Sequence, residues 1–227
     1  KLVEKWSTFV RQKPNSIIYC ARGGLRSEIC QTWLNQNNIE CSRLIGGYKT
    51  IRNFLLSELK KICMSQKLFL LSGTTGSGKT ELLKNIYRSV DLEGIANHKG
   101  SSFGKPLNDQ PAQIDIENEI CINLIKLTNE NSRPILLEDE SRNIGARHLP
   151  LDLSQAMEES PMVLVEVSFE ERIDLLLHEY VVERYKDSLE FYTNISQADL
   201  EFSNHLISSL KRLEKRLGGE RTQKILK

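Results

Sequence analysis

Apolar residues along this chain fall in short dense runs, separated by longer stretches in which they recur at helical spacing. The run Ser16, Ile17, Ile18, Tyr19 predicts a short buried strand ending at Cys20. After a glycine turn, Ile29, Trp33 and Leu34 are expected on one face of a helix over about 26–36. A second short strand is expected over 41–45, stopped by Gly46 and Gly47. Ile51, Phe54, Leu55, Leu59 and Ile62 then mark a helix over 48–63. A strand–helix–strand–helix order implies parallel pairing.

The pattern repeats further on. Residues 67–72 (KLFLLS) form a continuous apolar strand, followed by a helix over about 79–90 with Leu82, Leu83, Ile86 and Val90 turned to the sheet. Residues 91–113 are rich in Gly, Ser, Asn and Pro and predict a long loop, of a length that is usually functional or mobile. A helix over about 116–128 leads to a strand at 134–137 that ends in three acids, Glu138, Asp139 and Glu140. Another strand is expected over 162–167, and Ser168 with Glu171 has the form of a capping box opening a helix. The remainder is helical in pattern, without repeats or low-complexity tracts. The expected fold is α/β: a small parallel-sheet segment over 1–64, a P-loop-type parallel sheet flanked by helices over 65–190, and a helical basic region over 191–227.

The 227 residues are enough to bury an ample core. No apolar run is long enough to span a bilayer and no secretory signal is evident, so a cytoplasmic protein without membrane contact is expected. Five scattered cysteines without CxxC or zinc-ligand spacing suit a reducing compartment. The chain starts at Lys1 rather than methionine and is expected to be a fragment. A net charge of +1 conceals an excess of +7 over residues 1–66 and a basic stretch over 211–227. Both suit a polyanionic partner such as RNA, and both also suit solvated helix faces.

Two loops carry the chemistry. Gly73-Thr74-Thr75-Gly76-Ser77-Gly78-Lys79-Thr80 fits the P-loop pattern, with a strand before and a helix after. Its backbone N–H groups are expected to cradle phosphate oxygens, with Lys79 on the terminal oxygens and the Thr80 hydroxyl offered to magnesium. Asp139 is the expected acidic partner of that metal, with Glu138 close behind. Phosphate recognition alone does not separate ATP from another diphosphate. The second loop, Cys20-Ala21-Arg22-Gly23-Gly24-Leu25-Arg26-Ser27, sets a thiol between a strand and a helix N-terminus. Arg22 and Arg26 are expected to favour the thiolate, and Gly23 and Gly24 to let the backbone fold around an atom carried on sulfur.

The segment from Cys20 to Gly47 resembles the second half of a rhodanese domain. Followed by a P-loop domain, it resembles the tRNA 2-selenouridine synthase family. The resemblance is carried by YCARGGLRS at 19–27, GGYK at 46–49, GTTGSGKTELL at 73–83, VDLEGIANHKGSSFG at 90–104 and QPAQIDIEN at 110–118. It covers roughly residues 16–145. Fifteen residues precede the cysteine strand, so the rhodanese-like part is expected to be partial.

The resemblance implies a transferase acting at the wobble position in the anticodon region of tRNA. There 2-thiouridine is S-geranylated from geranyl diphosphate and then selenated from selenophosphate. It implies Cys20 in the selenium step, a magnesium ion beside the P-loop, and no tightly bound organic cofactor. His98 and Arg142 join Glu138 as possible substrate contacts. Two rival readings are a P-loop small-molecule kinase or NTPase, marked by ATP turnover, and a non-catalytic RNA-binding or sulfur-carrier adaptor.

Overall fold

The computed structural model describes residues 1–130 and 133–226. Internal contacts divide the chain into two compact units, Lys1–Glu58 and Leu59–Lys227. Residues 191–226 belong to the second unit.

In the first unit, helix α1 (Leu2–Gln12), strand β1 (Ile17–Ile18), helix α2 (Leu25–Gln36) and strand β2 (Ser42–Arg43) follow in order. The strands are parallel, with Ile17 opposite Ser42 and Ile18 opposite Arg43. Val10, Leu34, Ile39 and Cys41 form the core, with Trp6 and Ile18 against it. Of the three residues expected on the inner face of α2, only Leu34 is buried. Ile29 is exposed, as is Trp33, whose ring stacks on Trp6 with centroids 6.3 Å apart. Helix α3 (Gly47–Ser65) contains the boundary between the units. Of the five residues whose spacing marks it, Leu55, Leu59 and Ile62 form a buried stripe, Ile51 is half-buried and Phe54 is exposed.

The second unit is built on a parallel sheet of β3 (Leu68–Gly73), β4 (Ser89–Val90), β5 (Ile135–Glu138) and β8 (Met162–Val165), in the spatial order β4-β5-β3-β8. The alternating strand and helix pattern produces this arrangement, since parallel neighbours need a crossover between them. Helix α4 (Lys79–Lys84) follows β3. Next come α5 (Leu92–Ala96), α6 (Gln113–Glu130), an antiparallel pair β6 (Asn143–Ile144) and β7 (Arg147–His148), and α7 (Leu151–Glu158). Ile116, Ile120 and Leu124, four residues apart on α6, are fully buried, as are Ile135 and Leu137 of β5. β8 lies at the sheet edge and leaves Met162, Val163 and Leu164 exposed.

Two expectations change here. The helix after the P-loop is half as long as its apolar spacing suggests: α4 stops at Lys84, and Val90 sits in β4. The Ser89 hydroxyl donates to the carbonyls of Leu83 and Ile86 at 2.7 Å and so closes the helix end. Leu82 and Ile86 are exposed, and of the four expected inward residues only Leu83 and Val90 are buried. The 91–113 loop also contains α5, whose first turn is capped by the Asp91 carboxylate accepting the Gly94 N–H at 2.7 Å.

After β8 the chain is helical: α8 (Phe169–Leu177), a π-helical turn over His178–Glu183, α9 (Arg184–Phe191), α10 (Ile195–Arg212), α11 (Glu214–Leu217) and α12 (Gly219–Ile225). The Ser168–Glu171 capping box forms as expected. Among the described residues no helix is long and apolar enough to cross a membrane.

Candidate active site

In the first unit, β1 ends just before Cys20, and the chain turns through Gly23 and Gly24 into α2. This turn packs backbone to backbone against the start of α3. Gly23 has φ +64° and Gly47 φ +61°; a Cβ on Gly23 would lie 2.4 Å from the Gly46 nitrogen, and one on Gly47 would lie 2.0 Å from the Cys20 oxygen. No side chain fits at either position. The Tyr48 N–H donates to the Cys20 carbonyl at 2.9 Å, and the Arg43 guanidinium donates to the Gly23 carbonyl at 2.9 Å. The half-buried thiol is thereby held 3.3 Å from the buried Ser27 hydroxyl.

Cys20 has its pKa lowered from 9.0 to about 7, by the Ser27 hydroxyl first and then by the backbone N–H groups of Ser27, Arg22 and Gly24. The thiolate is therefore favoured by the loop's own donors. Arg22 and Arg26 are both exposed, and what Arg22 supplies is its backbone amide. Ser27 is the residue that charge reasoning passes over. Its position, three residues into a helix whose N-cap is Gly24, points it back at the loop.

In the second unit the P-loop lies between β3 and α4. Gly76 and Gly78 have φ of +81° and +79°, the left-handed turns that aim backbone N–H groups inward. The Ser77 hydroxyl is buried without a hydrogen-bond partner among the described residues, and the Lys79 ammonium donates to the Gly73 carbonyl at 2.9 Å. An orphaned buried hydroxyl and a lysine held by its own loop are what a phosphate oxygen would satisfy. The outer side of the loop is covered by α8. Arg172 donates to the Thr75 carbonyl at 2.9 Å, and a Cβ on Gly76 would lie 2.5 Å from Cγ of Leu176. No motif in the sequence marks those two residues, because the contact spans nearly a hundred positions.

At the end of β5, side chains alternate from one face to the other, which separates Asp139 from its two neighbours. The carboxylates that converge are Glu138, Glu140 and Glu93 of α5, with ligand atoms all within 4.8 Å of one another; Asp139 stands outside this group. Glu138 is fully buried. One of its oxygens accepts the Glu93 N–H at 3.2 Å, and the other has no partner among the described residues. Burial and then the Glu93 charge push the pKa values of Glu138 and Glu140 upward. The Glu93 carboxylate also accepts the N–H of Gly100, tying α5 to the following loop.

A cavity of about 500 Å³ is lined by Thr80 and Glu93 and also by Phe103, Leu107, Tyr180 and Phe191. His98 lines it too and extends into an adjoining cavity of about 870 Å³ that includes Lys105, Arg147 and Arg212. Arg142 is exposed at the base of the β6–β7 hairpin and lines neither cavity. The loop wall is pinned from α10: the His205 ring bonds the Phe103 carbonyl at 3.1 Å, and Arg212 donates to the Ser102 carbonyl at 2.6 Å. Lys99 pairs with Glu179 at 2.7 Å on the π-helical turn.

The family described as tRNA 2-selenouridine synthase AAA domain matches residues 66–227. A protein of Pseudomonas syringae pv. tomato called tRNA 2-selenouridine synthase is 44% identical over 99% of this chain and 61% of its own length. Namesakes from Marinobacter nauticus and Pseudomonas aeruginosa are 43% and 42% identical, over 98% and 97% of this chain and 60% of their own lengths. The chain thus spans about three fifths of the length of these relatives. No solved structure matches it at a significant level. On the family match and these identities together, the chain belongs to the tRNA 2-selenouridine synthase family.

Proposed function

We propose that this chain carries the groups for two successive steps on tRNA: S-geranylation of a wobble 2-thiouridine and its conversion to 2-selenouridine. The observation that carries the first step is a P-loop beside a cavity with both polar and apolar walls. Thr80 belongs to the phosphate loop and to the cavity wall, and the same cavity is lined by Phe103, Leu107, Tyr180 and Phe191. Its volume of about 500 Å³ falls in the range of about 300–1,000 Å³ usual for small ligands. An allylic diphosphate has matching halves, a charged head and an apolar tail.

In this reading the P-loop amides, the Ser77 hydroxyl and Lys79 hold the diphosphate. The thiocarbonyl sulfur attacks C1 of the geranyl group, a C–S bond forms, and the C–O bond breaks as diphosphate leaves. Stabilising the departing charge is the main service the loop provides. A magnesium ion, when bound, would add to that neutralisation; the Thr80 hydroxyl and the Glu138 and Glu140 carboxylates are the groups that would hold it.

In the second step, selenium from selenophosphate attacks C2 and expels the geranyl thiolate. Hydrolysis of the Se–P bond then leaves phosphate and the selenocarbonyl. Cys20, a thiol with a pKa of about 7 in a loop of N–H donors, is assigned to handling selenium in this step.

The test adds 2-thiouridine tRNA and geranyl diphosphate, then selenophosphate, with nucleoside analysis after each addition. Geranylthiouridine and then selenouridine are expected, without ATP. Lys79→Ala should lose the first product. Cys20→Ser should accumulate it and form no second. Product formation that requires ATP would favour a kinase or NTPase, and tRNA binding without either product would favour an adaptor.

A further inference from the structure

We propose that Glu93, Glu138 and Glu140 together form a binding site for a hard divalent cation of the magnesium or manganese class. The three carboxylates come from separate places in the sequence. Glu93 sits in α5, Glu138 is the last residue of β5, and Glu140 lies two residues beyond on the same face. Their ligand atoms nevertheless lie within 4.8 Å of one another. Acidic residues gather for many reasons, so the decisive observation concerns Glu138. It is completely buried and contributes a carboxylate oxygen to the group, and one of its two oxygens has no hydrogen-bond donor among the described residues. A buried carboxylate oxygen left without a donor or cation is costly, and cores rarely keep one.

Glu140 shares a side-chain hydrogen bond with Glu93, but no basic side chain neutralises the group. Among the described residues no lysine or arginine pairs with Glu93, Glu138 or Glu140 within 4.0 Å. Lys79 is near enough to be felt by Glu140, but its ammonium is donated to the Gly73 carbonyl. A cation placed between the three carboxylates would satisfy the orphaned oxygen and offset their mutual repulsion. Neither imidazole nor thiolate belongs to the set, so a hard ion is favoured over zinc or copper. Three protein oxygens leave open positions, which suits magnesium, an ion that keeps waters and takes phosphate oxygens as ligands.

Glu93 gives the site a second property. It is both a ligand and the acceptor of the Gly100 N–H, so the ion would fasten the loop carrying Lys99 and Phe103 to the end of the sheet. Thr80 lines the same cavity as Glu93, so phosphate oxygens held by the P-loop are suited to complete the shell. That last step rests on the reading of the P-loop as a diphosphate site; the ion site itself does not.

The test is a manganese titration of the full chain followed by electron paramagnetic resonance, without tRNA, diphosphate or selenophosphate. One bound Mn²⁺ per chain, displaced by Mg²⁺, is expected. Glu93→Gln and Glu140→Gln should each weaken binding at least about tenfold, since even supporting partners of a metal site are worth ~10–100-fold. Asp139→Asn should keep the wild-type affinity. Both glutamines replace partly exposed residues, and circular dichroism confirms their fold, so the result does not depend on Glu138→Gln remaining folded. Unchanged affinity in the two glutamine variants, or an equal loss in Asp139→Asn, overturns the site. Because no geranyl donor is present, bound manganese without geranyl transfer would count against the functional reading alone.

Discussion

At the scale of single residues, Cys20 and Ser27 form a unit that neither makes alone. The Ser27 hydroxyl donates to the Gly24 carbonyl at 2.9 Å and lies 3.3 Å from the sulfur, so its one proton has two acceptors within reach. With the thiol, the carbonyl holds it; with the thiolate, the sulfur is the stronger acceptor. The pKa is thus lowered to about 7 in the protein, and the thiolate fraction rises as pH increases through that value. Alkylation of Cys20 by iodoacetamide should follow a midpoint near 7. In Ser27→Ala the midpoint should move up toward 9.0, and the rate at pH 7 should fall several-fold. Cys63, pushed up to about 12 by burial, should stay unreactive at both pH values and serves as the internal comparison. An unchanged midpoint in Ser27→Ala would mean that the backbone amides carry the shift by themselves.

At the scale of elements, the phosphate loop depends on a helix that lies far along the sequence. Gly76 combines a φ of +81° with a Leu176 side chain 2.5 Å from where its Cβ would stand. Gly76→Ala should therefore cost about 1–3 kcal/mol, seen as a lower Tm, from backbone strain together with displacement of α8. A similar dependence joins α10 to the 99–104 loop. The partners of His205 define its tautomer: Nε2–H donates to the Phe103 carbonyl at 3.1 Å, while Nδ1 faces the Arg184 guanidinium at 3.5 Å. Burial first and then Arg184 lower its pKa from 6.5 to about 4. Between those values the unfolded chain binds the proton that the folded chain refuses, so stability is lost as pH falls from 6.5 toward 4. Thermal melts over that window should show a falling Tm, and His205→Gln should flatten the slope.

These same elements show what sequence patterns convey. The apolar run at β3, the glycines of the P-loop and the stripe of α3 are local, and spacing alone predicts them. The alternation of a strand also separates Glu138 and Glu140 from Asp139, a distinction that a simple reading of three consecutive acids overlooks. Glu93, Leu176 and His205 are different, since each matters through a contact with residues at least 45 positions away. Helical spacing was also an imperfect guide where a side chain replaced backbone bonding: Ser89 ends α4 although Ile86 and Val90 continue its apolar pattern.

At the scale of the whole molecule, the question is whether two chemistries on one chain form a relay or two separate services. The thiol loop belongs to Lys1–Glu58 and the phosphate loop to Leu59–Lys227, and each is shaped by contacts within its own unit. The Cys20 loop rests on Gly46, Gly47 and Arg43, whereas the P-loop rests on α8. Loss of one should therefore leave the other folded and chemically competent. Cys20→Ser and Lys79→Ala proteins, each inactive for selenouridine formation alone, should complement when mixed with 2-thiouridine tRNA, geranyl diphosphate and selenophosphate. The first would release geranylated tRNA and the second would complete it. The yield of selenouridine should rise with the concentration of the second protein, because the intermediate must pass through solution. Mixing that yields geranylthiouridine and no selenouridine would instead mean that the intermediate stays bound to the chain that made it, with both loops needed on one molecule.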